Sequence, residues 1–337
     1  MKKIFVILLV LAVFAAMPLA AGGGQDTSAS AGAKVRTYRL ADNQPDGYPT
    51  VLGDQKLADV VKEKTNGGIV IEVYNNSVLG TEKETIEQTQ IGDIQFIRVG
   101  TNPLSSINPI GNALSMPFLF RDRDHMFKVL DGPIGEEIMN AYKSQNLLGL
   151  CWFDAGFRNF YNTKRSIKTP ADMAGLKIRV QESSLMMDMI RNLGASPTPM
   201  AYGEVYPGMQ NGIIDGAENN WPSYITAAHY EVAKYFTTDA HMCSPEMVLI
   251  NTGVWDSFSD AEKKIVKDAA AEGAKVERSE WLKAEQKYEQ VAKDSGSIIT
   301  NLTPEQHKLF EEAEAPLYAK PEYASLLPII QRIRDTK

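Results

Sequence analysis

Residues 259–294, SDAEKKIVKDAAAEGAKVERSEWLKAEQKYEQVAKD, have the pattern of one long helix. Ser259 and Glu262, three positions apart, form a capping box that predicts where the helix begins. A helix of about 36 residues would be ~54 Å long, at 1.5 Å per residue. Because that exceeds the diameter of one domain, we expect this helix to lie across two domains.

Upstream of this helix, strand-like and helix-like segments alternate, which predicts an α/β fold. The predicted strands are 35–41, 69–74, 94–99, 147–153, 177–181 and 247–250. The predicted helices are 50–65, 82–90, 122–144 with an interruption at Gly132-Pro133, and 183–193. The sequence therefore predicts two α/β lobes that share one long helix.

Composition excludes several classes of protein. The chain has 337 residues, 44% of them hydrophobic and 23% charged, which is typical of folded globular proteins. Its formal net charge is −7, which argues against general binding to nucleic acid or to anionic membranes. Any anionic ligand must then be held by a few locally placed cations.

The N-terminus has the pattern of an export signal. Lys2 and Lys3 precede the apolar run 4–16, and Ala20-Ala21-Gly22 offers a cleavage site. We predict a signal peptide at 1–24 and a flexible leader at 25–33, with an uncleaved anchor as the alternative. The mature protein is then expected in the periplasm.

Neither a metal centre nor a catalytic centre is indicated. Cys151 and Cys243 lie in apolar surroundings, which favours buried free thiols over a disulfide. The four histidines are scattered, and no phosphate loop, nucleophile elbow or dinucleotide fingerprint occurs. We therefore expect a protein without a metal or other cofactor and without enzyme activity.

Three arginines occupy similar places in predicted strands or at their ends. Arg98 and Arg179 lie within apolar runs, and Arg158 follows the strand that ends at Phe153. A buried guanidinium is costly unless it meets an anion or carbonyl groups. Each arginine alone could equally form an ion pair within the protein, but the three together favour an anion site.

Two motifs resemble a known family. The stretch 175–180, GLKIRV, is followed by 212–219, GIIDGAEN. With the supporting stretches 79–84, 92–94, 116–120 and 156–158, they resemble the DctP-type solute-binding proteins of tripartite ATP-independent periplasmic (TRAP) transporters. The resemblance extends from about residue 35 to residue 330.

The resemblance implies a two-lobed clamp, like other periplasmic binding proteins, with mixed β-sheets and one long helix bridging both lobes. Lobe I would comprise 34–155 with 245–283 returning to it, and lobe II 156–244 with 284–337 packing on it. The family role carried to Arg179 is a bidentate salt bridge with the ligand carboxylate. Arg158 and Asn219 match the family's other polar contacts. A monomer that delivers an organic acid to a membrane permease is implied.

The ligand is expected to be a hexuronate such as D-glucuronate or D-galacturonate. Three features resemble the uronate-binding branch, namely 41–49, the pair Arg98 and Asn220, and 235–241. Further side chains that could bind sugar hydroxyls are Asn43, Gln44, Glu82, Asn162, Asn220 and His241. Trp221 or Phe157 could pack on the apolar face of a sugar, or belong to the core. Gly47-Tyr48 departs from that branch, where an acidic residue and a histidine are common.

Other functions stay open from sequence. The same type of receptor could bind sialic acid, a C4-dicarboxylate or a 2-oxo acid. A secreted sugar-acid hydrolase or lyase would use Glu82 or His241, although no poised pair of residues is visible. An adaptor without a small ligand would leave the strand-end arginines unexplained.

Overall fold

The computed structural model describes residues 35–337, so the predicted signal peptide and leader lie outside the described residues. The strands are β1 (Arg36–Ala41), β2 (Ile69–Tyr74), β3 (Phe96–Gly100), β4 (Leu147–Phe153), β5 (Phe157–Asn162), β6 (Lys177–Val180), β7 (Ser196–Pro199), β8 (Gly216–Asn219), β9 (Tyr235–Cys243), β10 (Glu246–Asn251) and β11 (Ile298–Asn301). The helices are α1 (Pro49–Lys64), α2 (Glu82–Gln90), α3 (Thr101–Leu104), α4 (Arg123–Leu130), α5 (Pro133–Ala141), α6 (Ser184–Asn192), α7 (Val205–Gln210), α8 (Trp221–Thr226), α9 (His229–Val232), α10 (Thr252–Asp256), α11 (Asp260–Asp294), α12 (Pro304–Glu314) and α13 (Leu327–Asp335).

These strands form two mixed sheets. The first sheet has the order β2-β1-β3-β10-β4, and the second has the order β11-β9-β5-β8-β6-β7. In the first sheet β1 is parallel to β2 and β3, whereas β10 is antiparallel to β3 and β4. The chain passes from the first sheet to the second after β4 and returns after β9. The predicted two-lobed α/β fold is confirmed.

The long helix α11 is also confirmed. It spans 35 residues, and Ser259 and Glu262 make both hydrogen bonds of the predicted capping box. It packs against α1 and β4 on the side of the first sheet and against α8 on the side of the second. A Cβ on Gly273 would lie 2.6 Å from the carbonyl oxygen of Gly53, so only glycine allows α11 to approach α1 this closely. The helix therefore joins the two lobes.

Five strands were not predicted from the sequence, namely β5, β7, β8, β9 and β11. The reason is clearest in β5 and β9, where Arg158, Asn159, Asp239 and His241 are buried polar residues and interrupt any apolar alternation. The predicted strand 94–99 begins two residues later, at Phe96. The predicted break at Gly132-Pro133 is confirmed, because it separates α4 from α5.

Both cysteines are buried and free, as predicted. The Cys243 thiol lies 2.9 Å from the Met126 sulfur, within the hydrophobic core. Within residues 35–337, no three His, Cys, Asp or Glu side chains are grouped so as to hold a metal ion. No helix in the same range has both the length and the apolar character needed to span a bilayer.

Candidate functional site

A polar cavity lies between the two sheets. The empty space between its walls, open solvent included, measures about 300 Å³. Its lining residues are Asn43, Gln44, Glu82, Arg158, Arg179, Gln181, Tyr202, Asn219, Asn220, Ser223 and Glu246. It continues outward into a second cavity that shares Asn43, Glu82, Arg179, Gln181 and Tyr202. Both sheets therefore contribute side chains to one polar chamber.

Six of the ten predicted site residues line this chamber: Arg179, Arg158, Asn219, Glu82, Asn43 and Gln44. Four of its lining residues were not singled out from sequence: Gln181, Tyr202, Ser223 and Glu246. Two of these had a detectable signal. Gln181 directly follows β6, which carries Arg179, and Glu246, the first residue of β10, directly precedes the strand predicted at 247–250.

Arg179 is a buried cation that lacks a carboxylate partner. It lies on β6 and is 3% exposed, and its Nε and Nη2 donate to the Met200 carbonyl at 2.9 and 2.7 Å. No carboxylate among residues 35–337 lies within ion-pair distance of it. Burial lowers the pKa of Arg179, and the nearby charge of Arg158 lowers it further. A bound anion would supply the missing negative charge.

Arg158, by contrast, is paired within the second sheet. Its Nε and Nη2 donate to the two carboxylate oxygens of Glu218, and its Nη1 donates to Asn219 Oδ1 at 3.1 Å. Burial opposes ionisation of Glu218, but Arg158 and His241 outweigh it and hold the pKa of Glu218 at about 2. The Glu218–Arg158 pair therefore orients Asn219, whose Nδ2 has no hydrogen-bond partner among the described residues.

Arg98 is not a cavity residue, which corrects its assignment as a ligand contact. It is 1% exposed, and its Nε and Nη2 donate to the carboxylate of Asp42. Nη2 also donates to Asn43 Oδ1 at 2.6 Å, while Nη1 lies 2.9 Å from Glu246 Oε2 and 3.9 Å from Glu82 Oε1. Arg98 therefore forms ion pairs within the protein, which was the alternative for each arginine. From behind the cavity wall it contacts three side chains that line the cavity, those of Asn43, Glu82 and Glu246.

Three further predicted residues lie away from the cavity. Asn162 binds the backbone of Lys164 and Arg165 and so stabilises a turn. Trp221 stacks on Phe236 with a centroid distance of 3.7 Å and, partly buried, packs against a hydrophobic cluster of the core. His241 is fully buried behind Glu218, and Asp239 contacts its Nδ1 at 2.7 Å.

Tyr48 connects the two halves of the molecule. Its hydroxyl lies 2.9 Å from Ser223 Oγ and 3.4 Å from Asn220 Oδ1, at the start of α8. Its ring packs edge-on against Trp281 of α11 at 5.8 Å. Tyr48 immediately precedes α1, so a residue on the side of the first sheet is tied to the cavity wall on the side of the second.

Tyr48→Phe is expected to lower the free energy of unfolding by about 1 kcal/mol, because the Ser223 and Asn220 side chains lose a buried hydrogen-bond partner. Chemical denaturation measures this change. Tyr38→Phe is the matched control, since the Tyr38 hydroxyl has no hydrogen-bond partner in residues 35–337. Equal stability of the two variants would mean that the Tyr48 hydroxyl does not stabilise this contact.

Comparison with known proteins agrees with this architecture. A solute-binding protein of Chromohalobacter salexigens is 37% identical over 309 residues, which are 90% of this chain and 91% of the relative. The structure of a TRAP periplasmic solute-binding protein from Xanthobacter autotrophicus with bound β-D-galacturonate is 41% identical. Its TM-score is 0.85, with coverage of 89% of this chain and 100% of that chain.

A second solved structure, a TRAP periplasmic solute-binding protein of Chromohalobacter salexigens with bound D-glucuronate, is 36% identical. Its TM-score is 0.86, with the same coverage of 89% and 100%. Residues 40–324 match the sequence profile of DctP, the bacterial extracellular solute-binding protein family 7. The chain belongs to the DctP family and is a solute-binding protein of the TRAP type.

Proposed function

We propose that this protein is the periplasmic receptor of a TRAP transporter for a hexuronate such as D-glucuronate or D-galacturonate. It would hand the bound sugar acid to a membrane permease and catalyse no reaction on it. The observation that carries the proposal is Arg179, a buried guanidinium in a cavity, without a carboxylate partner among the described residues. Relatives of the same fold hold galacturonate and glucuronate, as their structures record.

The carboxylate of the ligand would bind Arg179. A planar guanidinium matches a carboxylate through two parallel charge-assisted hydrogen bonds, and the cavity excludes most of the competing water. The free Nδ2 of Asn219 would donate a further hydrogen bond to the carboxylate or to a neighbouring hydroxyl. The ionised Glu218–Arg158 pair fixes Asn219 in that orientation.

The rest of the cavity suits a polyhydroxylated molecule. Amide, hydroxyl and carboxylate groups of Asn43, Gln44, Gln181, Tyr202 and Glu82 line it, and each can accept or donate a hydrogen bond. A simple dicarboxylate would leave most of these groups without a partner, which is costly in a buried site. The polar lining therefore favours a sugar acid.

Ligand release would require the lobes to separate, because both sheets contribute to the cavity. The lobe boundaries, 34–155 with 245–283 and 156–244 with 284–337, stay predictions, as do the monomeric state and the cleaved signal peptide. A hinge would lie where the chain crosses between the two sheets, namely after β4, after β9 and along α11.

A ligand screen tests the proposal. The purified mature protein is heated with glucuronate, galacturonate, sialic acid, C4-dicarboxylates, 2-oxo acids or glucose, and the unfolding midpoint is measured. A uronate at a hundredfold excess over its dissociation constant should stabilise the folded state by about 2.7 kcal/mol. Glucose, which lacks the carboxylate, should cause no shift. Shifts with dicarboxylates alone, or turnover of a uronate, would overturn the proposal.

A further inference from the structure

The wall of the cavity on the side of the first sheet carries an excess of acid, whereas Arg179 lies on the second sheet. Glu82 begins α2 and Glu246 begins β10, and the side chain of each is 13% exposed. Both carboxylates lie within 3.9 Å of the same Arg98 Nη1 atom. Arg98 already gives its other two nitrogens to Asp42. A single cation is thus shared by three carboxylates.

Each of the two glutamates keeps an oxygen available to the cavity. Glu82 accepts from the Gly100 backbone N–H through Oε1 at 3.2 Å, which leaves its Oε2 without a hydrogen-bond partner in residues 35–337. Burial and the nearby charge of Glu82 raise the pKa of Glu246 to about 7, against the opposing effect of Arg98. The charges of Glu82 and Asp42 contribute to this shift, so an additional negative charge at this wall would be disfavoured.

A second feature of this wall also indicates a ligand. Gln44 is 5% exposed, lines the cavity, and its Oε1 accepts no hydrogen bond from any described residue. Buried polar atoms in folded proteins nearly always have a partner. Free acceptors on Gln44, Glu82 and Glu246 call for a molecule that donates several hydrogen bonds, which hydroxyl groups do.

We propose that Glu82 and Glu246 make this receptor selective for acids with a single carboxylate, by accepting hydrogen bonds from ligand hydroxyls and repelling a second carboxylate. The inference rests on the proposed function, since it orients the ligand with its carboxylate on Arg179. The opposite end of a uronate carries hydroxyls, whereas an aldarate carries a carboxylate there. Glu82 and Glu246 would accept hydrogen bonds from the hydroxyls of a uronate and repel the second carboxylate of an aldarate.

The first experiment measures hydroxyl recognition. Glu82→Gln and Glu246→Gln keep the shape of each side chain but remove its charge. Each variant should bind glucuronate or galacturonate at least about tenfold more weakly by calorimetry at about pH 8.5, above the pKa of Glu246, because a charged acceptor is replaced by a neutral one. Glu87→Gln, an exposed change on the same helix as Glu82, should bind like the wild type. Wild-type affinity in both cavity variants would overturn the inference.

The second experiment isolates charge. L-Gulonate and D-glucarate are open-chain six-carbon acids that differ only in a hydroxymethyl or carboxylate group at one end. The wild type should prefer L-gulonate by about a hundredfold, and the double variant should reduce that ratio to about tenfold or less. An unchanged ratio would overturn the inference. If neither open-chain acid binds, the uronate affinities of the single variants decide alone.

Failure of the inference and failure of the proposed function are distinguishable. A wild-type protein that binds no uronate contradicts the proposed function. A wild-type protein that binds uronates, but whose Glu82 and Glu246 variants keep both the affinity and the acid selectivity, contradicts only the inference. The unfolding midpoint of each ligand-free variant shows that the loss of binding is not a loss of folding.

Discussion

Arg179→Met is expected to weaken uronate binding by about 30-fold to about 4,000-fold while leaving the ligand-free protein about as stable as the wild type. Loss of one partner from a buried, hydrogen-bonded charge pair costs ~2–5 kcal/mol, and each 1.4 kcal/mol is tenfold in affinity. Titration calorimetry measures the affinity. The affinity of Arg179→Lys for a uronate should lie between those of the wild type and Arg179→Met, because an ammonium group keeps the positive charge but cannot make the two parallel hydrogen bonds of a planar guanidinium.

The ligand-free Arg179→Met variant should be as stable as the wild type because Arg179 makes few stabilising contacts. In the ligand-free protein Arg179 donates only to the Met200 carbonyl, and its burial is not offset by an ion pair with any described residue. Methionine removes this uncompensated charge. The control is Arg165→Met, since exposed Arg165 also donates only to backbone carbonyls, those of Asp172 and Ala174, far from the cavity. A large loss of stability in Arg179→Met would mean that Arg179 is structural.

Glu218→Gln is expected to lower the free energy of unfolding by about 3–5 kcal/mol, because it leaves Arg158 buried without its carboxylate. Glu218 is fully buried, and both of its oxygens accept from the Arg158 guanidinium. Urea denaturation measures the loss. Glu137→Gln is the exposed control: its ion pair with Arg332 is one contact of 2.7 Å between side chains that are about half exposed, and should be worth less than ~1 kcal/mol.

The same denaturation series across pH tests the His241 side of this network. Burial alone would lower the pKa of His241, but Asp239 and Glu218 outweigh it and raise the pKa to about 9. The stabilisation from protonated His241 is therefore fully present below its ordinary value of 6.5 and is lost as the pH rises through 9. The stability difference between wild type and His241→Gln should shrink by roughly 2–3 kcal/mol between pH 6 and pH 9.

Glu218 titrates in the opposite direction. Its pKa is depressed from 4.5 to about 2, so its contribution is present above pH 4.5 and is lost as the pH falls toward 2. Both stabilising contributions are therefore fully present between about pH 4.5 and pH 6.5, given these two shifts. A difference between wild type and His241→Gln that stays constant from pH 6 to pH 9 would mean that folding leaves the pKa of His241 unchanged.

Local sequence determined the elements that depend on neighbours along the chain. The capping box at Ser259 and Glu262 begins the long helix, and Gly132-Pro133 separates α4 from α5. Both signals act within one turn of a helix, so no distant residue is needed to interpret them. Strands β5 and β9 escaped prediction because buried polar groups on them are satisfied only by partners elsewhere in the fold.

The three strand-end arginines show what only the tertiary structure decided. From sequence, each could equally pair within the protein or bind an anion. Arg98 meets Asp42 across 56 positions and Arg158 meets Glu218 across 60, because strand order brings these pairs together, whereas no described carboxylate reaches Arg179. Sequence by itself determined that buried cations exist and which segments carry them. The order of strands in the two sheets decided which of the three arginines has no carboxylate partner and can bind a ligand. The reason is that charge compensation depends on distance in space.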